Sequence, residues 1–101
     1  MHVTIVRANS GDQPISIATI VGEEMLRWLR DLDGFVGLLM LSRHGTTLAV
    51  TVWESAEVAE LHQSVRAEFR ERISAVASVQ IEEVEEFEVT FAHLAALMVG
   101  S

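Results

Sequence analysis

DGFVGLLMLSRHGTTLAVTVWES, residues 33–55, reads as two β-strands around a tight turn at His44-Gly45. If Arg43 pairs with Thr46, then Leu41 faces Leu48, Leu39 faces Val50 and Gly37 faces Val52. With a side-chain period of two, these residues and Phe35 share one face. The other face carries Val36, Leu38, Met40, Ala49, Thr51 and Trp53. Neither face meets a charge before Arg43 and Glu54. Helices of the same chain can cover one face of such a sheet. The second face needs another cover.

Outward from the hairpin, HVTIVRA (2–8) is short and β-branched and predicts a strand, followed by the turn-like stretch ANSGDQP (8–14). Ile17, Val21, Met25, Trp28 and Leu32 then recur at helical spacing, and Asp33-Gly34 stops the helix. The β-branched run ISIATIV leaves the helix start open, and Gly22 costs about 1 kcal/mol inside it. Downstream, Ser55 is placed to cap a second helix, with Glu57 favourable in the first turn. Its apolar stripe is Val58, Leu61, Val65, Phe69, Ile73 and Val76, on one helix or on two joined near Ser64. VQIEEVEEFEVTF (79–91) predicts the last strand. The Ile81 to Val84 to Phe87 spacing breaks its alternation, so a bulge or bend is expected there. The tail AHLAALMVGS (92–101) either docks or frays.

The order β-α-β-β-α-β defines an α+β, ferredoxin-like domain over residues 1–101, an antiparallel sheet with helices on one face. The remaining apolar face is larger than a monomer usually leaves to water. A second copy is the simplest cover, giving an isologous, face-to-face homodimer.

Composition narrows the function classes. Hydrophobic residues make up 50% of the chain, yet no apolar run is long enough for a membrane span. The N-terminus has no signal-peptide pattern and there are no cysteines, which together predict a cytoplasmic protein without disulfides or thiol chemistry. Asp and Glu number 15 against 7 Lys and Arg, a net charge of -8 that disfavours nucleic acid. His2, His44, His62 and His93 have no paired helical spacing, so no metal is expected. The acidic run EEVEEFE alternates along a strand, as a solvated face does.

DGFVG after the first helix, the short turn, VTVWES (50–55) leading into the second helix, and the acidic final strand together resemble the antibiotic biosynthesis monooxygenase family. The resemblance covers nearly the whole chain and implies a dimeric α/β barrel with a pocket between sheet and helices in each subunit. It also implies oxidation of reduced aromatic polyketides or quinols by molecular oxygen, without metal or flavin. Haem-degrading members use an Asn on the first strand, then a Trp and a His on the second helix. Here the corresponding positions hold Val6 or Arg7, His62 and Arg72, with Asn9 the nearest amide. Haem degradation is therefore not expected. Relatives that rely on tyrosine are also not matched, because the chain has no Tyr.

His62 is the first catalytic candidate. It falls within the second helix's apolar stripe and could take a proton from a phenol or hydroquinone. Its alternative is a structural His bonded to a backbone carbonyl. Arg66 and Arg72 could hold a substrate oxygen, or lie along the surface with their stems packed. Trp53 and Trp28 could stack on a flat ligand, or form core. Phe69, Met25 and Met40 could line an adaptable apolar pocket, and belong to packing unless a cavity is present. Three functions follow: a cofactor-independent oxygenase, a non-catalytic ligand-binding or interaction module, and a polyketide isomerase or cyclase.

Overall fold

The hairpin register is the predicted one. Arg43 pairs with Thr46, Leu41 with Leu48, Leu39 with Val50 and Gly37 with Val52. The computed structural model of the chain describes residues 1–14, 16–77 and 80–93. Its elements are β1 (His2–Gly11), α1 (Ser16–Leu29), β2 (Phe35–Arg43), β3 (Gly45–Trp53), α2 (Ala56–Leu61), α3 (Gln63–Ala77) and β4 (Gln80–Glu88). The strands form one antiparallel sheet in the order β2-β3-β1-β4, which is the ferredoxin-like arrangement, with the helices on one face. Val79 as the start of the last strand, Val76 as a member of the stripe, and the tail from residue 94 lie outside what is described.

Three irregularities shape the sheet. Val36 is an extra residue on β2, because Phe35 pairs with Trp53 while Gly37 pairs with Val52. This bulge corrects the expected facing: Phe35 turns to the helix side, edge-on to Trp53 with ring centroids 5.8 Å apart. On β4, Glu83 pairs with Arg7 and Ile81 with Ala8, so Glu82 is the extra residue in the region where broken alternation predicted a bulge. A third shift, between Asn9 and Gly11 of β1, leaves Ser10 unpaired with β3. The Asn9 side chain accepts from the Gly11 amide at 2.9 Å, which is ordinary turn chemistry.

The second helical region is two helices. Ser55 is extended and its hydroxyl accepts from the Val58 amide at 3.2 Å, with Glu57 in the first turn, so α2 begins as predicted. It stops at His62, whose φ of -99° and ψ of 16° leave the α region. The break resets the helical phase, and Leu61, expected on the inner stripe, is 74% exposed. Beyond it, α3 returns Phe69 to the interior at 3% exposure.

Two glycines allow close approach. A Cβ on Gly22 would lie 2.7 Å from Met40 Cγ, so the helix-weakening glycine lets α1 sit close against β2. Gly34 has φ of +84°, and a Cβ there would lie 2.4 Å from a methyl of Val58. The core proper lies at this end of the sheet: Leu29, Trp53 and Ala59, with Met25, Trp28, Leu32, Phe35 and Val58 packed around them.

Candidate functional site: an apolar cleft between sheet and helices

At the opposite end of the helix-covered face the packing does not close. A cleft opens between α1, α3 and the sheet, holding about 700 Å³ of empty space including its mouth. The cavity proper has a volume of about 70 Å³. Its floor is built from small side chains: Ala8 of β1 and Ala49 of β3 occupy helix-facing positions where larger residues would fill the gap. Ile17, Ala18 and Val21 of α1 form one wall, Phe69 and Ile73 of α3 another, and Met25 and Met40 lie where the walls meet. Ser10, Ser42 and Thr47 add hydroxyls, the last two within 3.3 Å of each other. Val6, Gln13, Pro14, Arg43, Arg70 and Ile81 complete the described lining, which contains no Asp, Glu or His.

Of the sequence candidates, Phe69 lines this cleft, as do Met25 and Met40. Phe69 also belongs to the core, because it meets Trp28 edge-on with centroids 5.3 Å apart. The others gather elsewhere. Trp53 is fully buried, and its indole Nε1 donates to Thr4 Oγ1 at 3.5 Å. It lies four positions along β3 from Ala49, roughly 13 Å of strand. No face of its ring is open to a ligand. Trp28 is half-buried, with the Arg72 guanidinium 5.0 Å from its ring centre. That contact accounts for Arg72 as a cation over an aromatic face.

His62 closes the α2–α3 break. Its Nε2 donates to the Asp33 carbonyl at 2.9 Å, and its ring lies 5.7 Å from that of Trp53. It thus ties the α2–α3 junction to the turn that precedes β2, and it is not in the cleft wall. Arg66 reaches back to the Ala59 carbonyl at 2.7 Å and lies 5.7 Å from the Trp53 ring centre. Its Nε is buried and has no hydrogen-bond partner among the described residues. Burial pushes this guanidinium below its ordinary pKa, Glu86 opposes that shift, and Arg70 adds to it. Beside it, His2 is buried and donates through Nε2 to Glu86 Oε1 at 2.9 Å.

Residues the sequence reading did not single out are the small ones, Ala8, Ala18 and Ala49, together with Arg43 and Arg70. A run of alanines at inward positions of neighbouring strands was the available signal. It needed the β1–β3 register to be read. Among the described residues no group of three His, Asp or Glu converges as a metal site, and no helix is long and apolar enough to cross a membrane.

No family model matches the sequence, and no curated protein matches it. Solved structures do match, over nearly the whole chain. A candidate antibiotic biosynthesis monooxygenase from Deinococcus radiodurans superposes with a TM-score of 0.69 at 15% identity, covering 95% of this chain and 99% of that one. SnoaB, a cofactor-independent oxygenase from Streptomyces nogalater, gives 0.64 at 16% identity over 90% of this chain and 95% of its own. The monooxygenase ActVA-Orf6 of Streptomyces coelicolor, solved with nanaomycin D, gives 0.63 at 14% identity over 94% and 92%. The chain therefore has the fold of the antibiotic biosynthesis monooxygenases.

Proposed function

We propose that this chain binds a reduced aromatic molecule in the helix–sheet cleft and oxidises it with molecular oxygen without a cofactor. The observation that carries the reading is the cleft itself, apolar on floor and walls and adaptable through Met25 and Met40. Oxygenases among the structures that share the fold support the reaction class. In such a reaction a ring methylene becomes a carbonyl. The carbon gives up two hydrogens and four electrons, and dioxygen supplies one atom to the product and one to water. The protein holds the ring between the α1 wall and the alanine floor and excludes water from its apolar part. The proton leaves from the substrate's own acidic position through the open mouth, since no carboxylate or imidazole lines the described wall. A benzene-sized ligand has been accommodated in a cavity of about 150 Å³. The 70 Å³ here is smaller, so a polycyclic substrate enters by rotating the methionines or by leaving one ring in the mouth.

The same lack of an acid or base favours a second reading, a non-catalytic binding module for the same ligands. Oxygen uptake with a panel of anthrones and naphthohydroquinones separates the two. The oxygenase reading expects protein-dependent uptake that Ala49→Leu abolishes by filling the cleft and that His62→Ala, checked for fold, leaves in place. Binding without uptake moves the function to the module. Uptake indifferent to Ala49→Leu places the chemistry elsewhere, and uptake lost in a folded His62→Ala restores the imidazole as base.

The uncovered sheet face supports a homodimer as the working unit. Leu39, Leu41 and Phe87 are 53%, 48% and 50% exposed, flanked by Val3, Ile5, Val50 and Val52 at the same register positions.

A further inference from the structure

We infer that the ligand of the cleft carries a neutral oxygen, a hydroxyl or a ketone, bonded end-on by the hydroxyl pair of Ser42 and Thr47 while its apolar body lies over Ala49. This rests on the cleft being the binding site. Three observations carry it. The first is the order of rows in the floor. On the helix-covered side, Met40, Ala49 and Val6 stand in register across β2, β3 and β1. The next inward-facing row toward the hairpin turn is Ser42, Thr47 and Ala8. Residues of both rows line the cleft. The floor therefore passes from apolar side chains to hydroxyls in a single step of the strand period, roughly 7 Å along the sheet. Ser10, which carries the remaining hydroxyl of the described lining, follows Ala8 at the same end.

The second is spare hydrogen-bonding capacity. Ser42 Oγ and Thr47 Oγ1 lie 3.3 Å apart and bond each other, and neither hydroxyl has another partner among the described residues. One O–H is spent on that bond and the other is left to donate, with lone pairs to spare on both oxygens. A ligand oxygen seated there accepts from the free O–H, and a ligand hydroxyl can also donate to the pair.

The third is that this end of the floor is neutral. The described lining has no Asp, Glu or His. Arg43 borders the cleft, but in the strand register it falls on the uncovered face with Leu41. An oxygen buried among apolar groups without a partner is costly. A cleft that is apolar along its length and hydroxylic at one end thus favours a ligand with an oxygen at the matching end, and it offers a full charge no counterion from the sheet.

The test is equilibrium dialysis of the full chain at neutral pH against 2-naphthol and 2-methylnaphthalene, probes with the same bicyclic body and heads of similar size. Combining Ser42→Ala with Thr47→Val removes both hydroxyls with little change in volume. That double variant should weaken 2-naphthol roughly tenfold, as loss of a hydrogen bond to a buried oxygen does, and should bind 2-methylnaphthalene as well as the parent or better. Thr47→Ser, which keeps the hydroxyl, should retain 2-naphthol binding. Equal weakening of both probes in the double variant would make the pair a cross-strand tie that shapes the hairpin, and overturns the inference. So does 2-naphthol binding that the double variant leaves unchanged. In both cases the cleft stands as the site, provided Ala49→Leu blocks both probes. Binding indifferent to Ala49→Leu, or no binding of either probe to the parent chain, overturns the cleft itself and this inference with it.

Discussion

Phe69→Ala is the substitution that examines core and cleft together. The ring is 3% exposed and meets Trp28 edge-on at 5.3 Å, and it also lines the cleft. A buried Phe→Ala change costs about 3–5 kcal/mol, of which an aromatic pair accounts for about 0.5–1.5. Here part of the ring's surface has no partner atoms, so dispersion is already one-sided there. The expected loss is therefore at the low end, about 3 kcal/mol. For a domain of this size that lowers Tm by on the order of 15 °C. Urea unfolding followed by the fluorescence of Trp28 and Trp53 measures it, at matched protein concentrations so that any dimer contributes equally. The substitution also extends the cleft toward Trp28. Saturating toluene should recover about 2 kcal/mol in the variant and much less in the unaltered protein. A loss below about 1 kcal/mol would refute the placement of Phe69 in the core. A full loss with no recovery by toluene would refute its placement in the cleft wall.

Gly34→Ala should destabilise by about 2–4 kcal/mol, combining left-handed backbone cost with overpacking against Val58. Adding Val58→Ala should return part of that cost, and strict additivity in the thermal melts of this cycle would show that the contact is not the cause. His62→Ala should cost about 1 kcal/mol through loss of the bond to the Asp33 carbonyl. A chemical denaturation midpoint unchanged from the parent would remove that tie from the account. Leu39→Glu, on the uncovered face, should convert a dimer to a monomer in sedimentation velocity while leaving the far-ultraviolet circular dichroism intact. A parent chain already monomeric at tens of micromolar would dispose of the dimer.

How much of the site could be read beforehand differed residue by residue. Phe69, Met25 and Met40 were legible as apolar residues at helical or strand period, and their lining role depended on whether a cavity existed. The cavity is an absence of side-chain volume, contributed to by residues from every strand and from two helices. No local window records it. The facing of Arg72 depends on whether the second helical region is one helix or two, and the break at His62 makes it two. Trp53 looked like a stacking platform because its residue type can serve as one. Only its burial by Phe35 of β2 and by His62 and Arg66 around the start of α3 shows that its faces are occupied.

The sequence by itself determined the order of elements, the hairpin register, the Ser55 cap and the irregularity in the last strand. These rest on period-two alternation, turn chemistry and capping, which act over a few neighbouring residues and need no partner from afar. Tertiary structure decided the face taken by Phe35, the phase of α3 after the break, and where the core ends and the cleft begins. A bulge changes facing through pairing with another strand, and an unfilled volume exists only between elements already assembled. Ala8 and Ala49 are unremarked alanines in the chain. They become the floor of a cleft because β1 and β3 lie side by side and Gly22 sets the approach of the helix over β2.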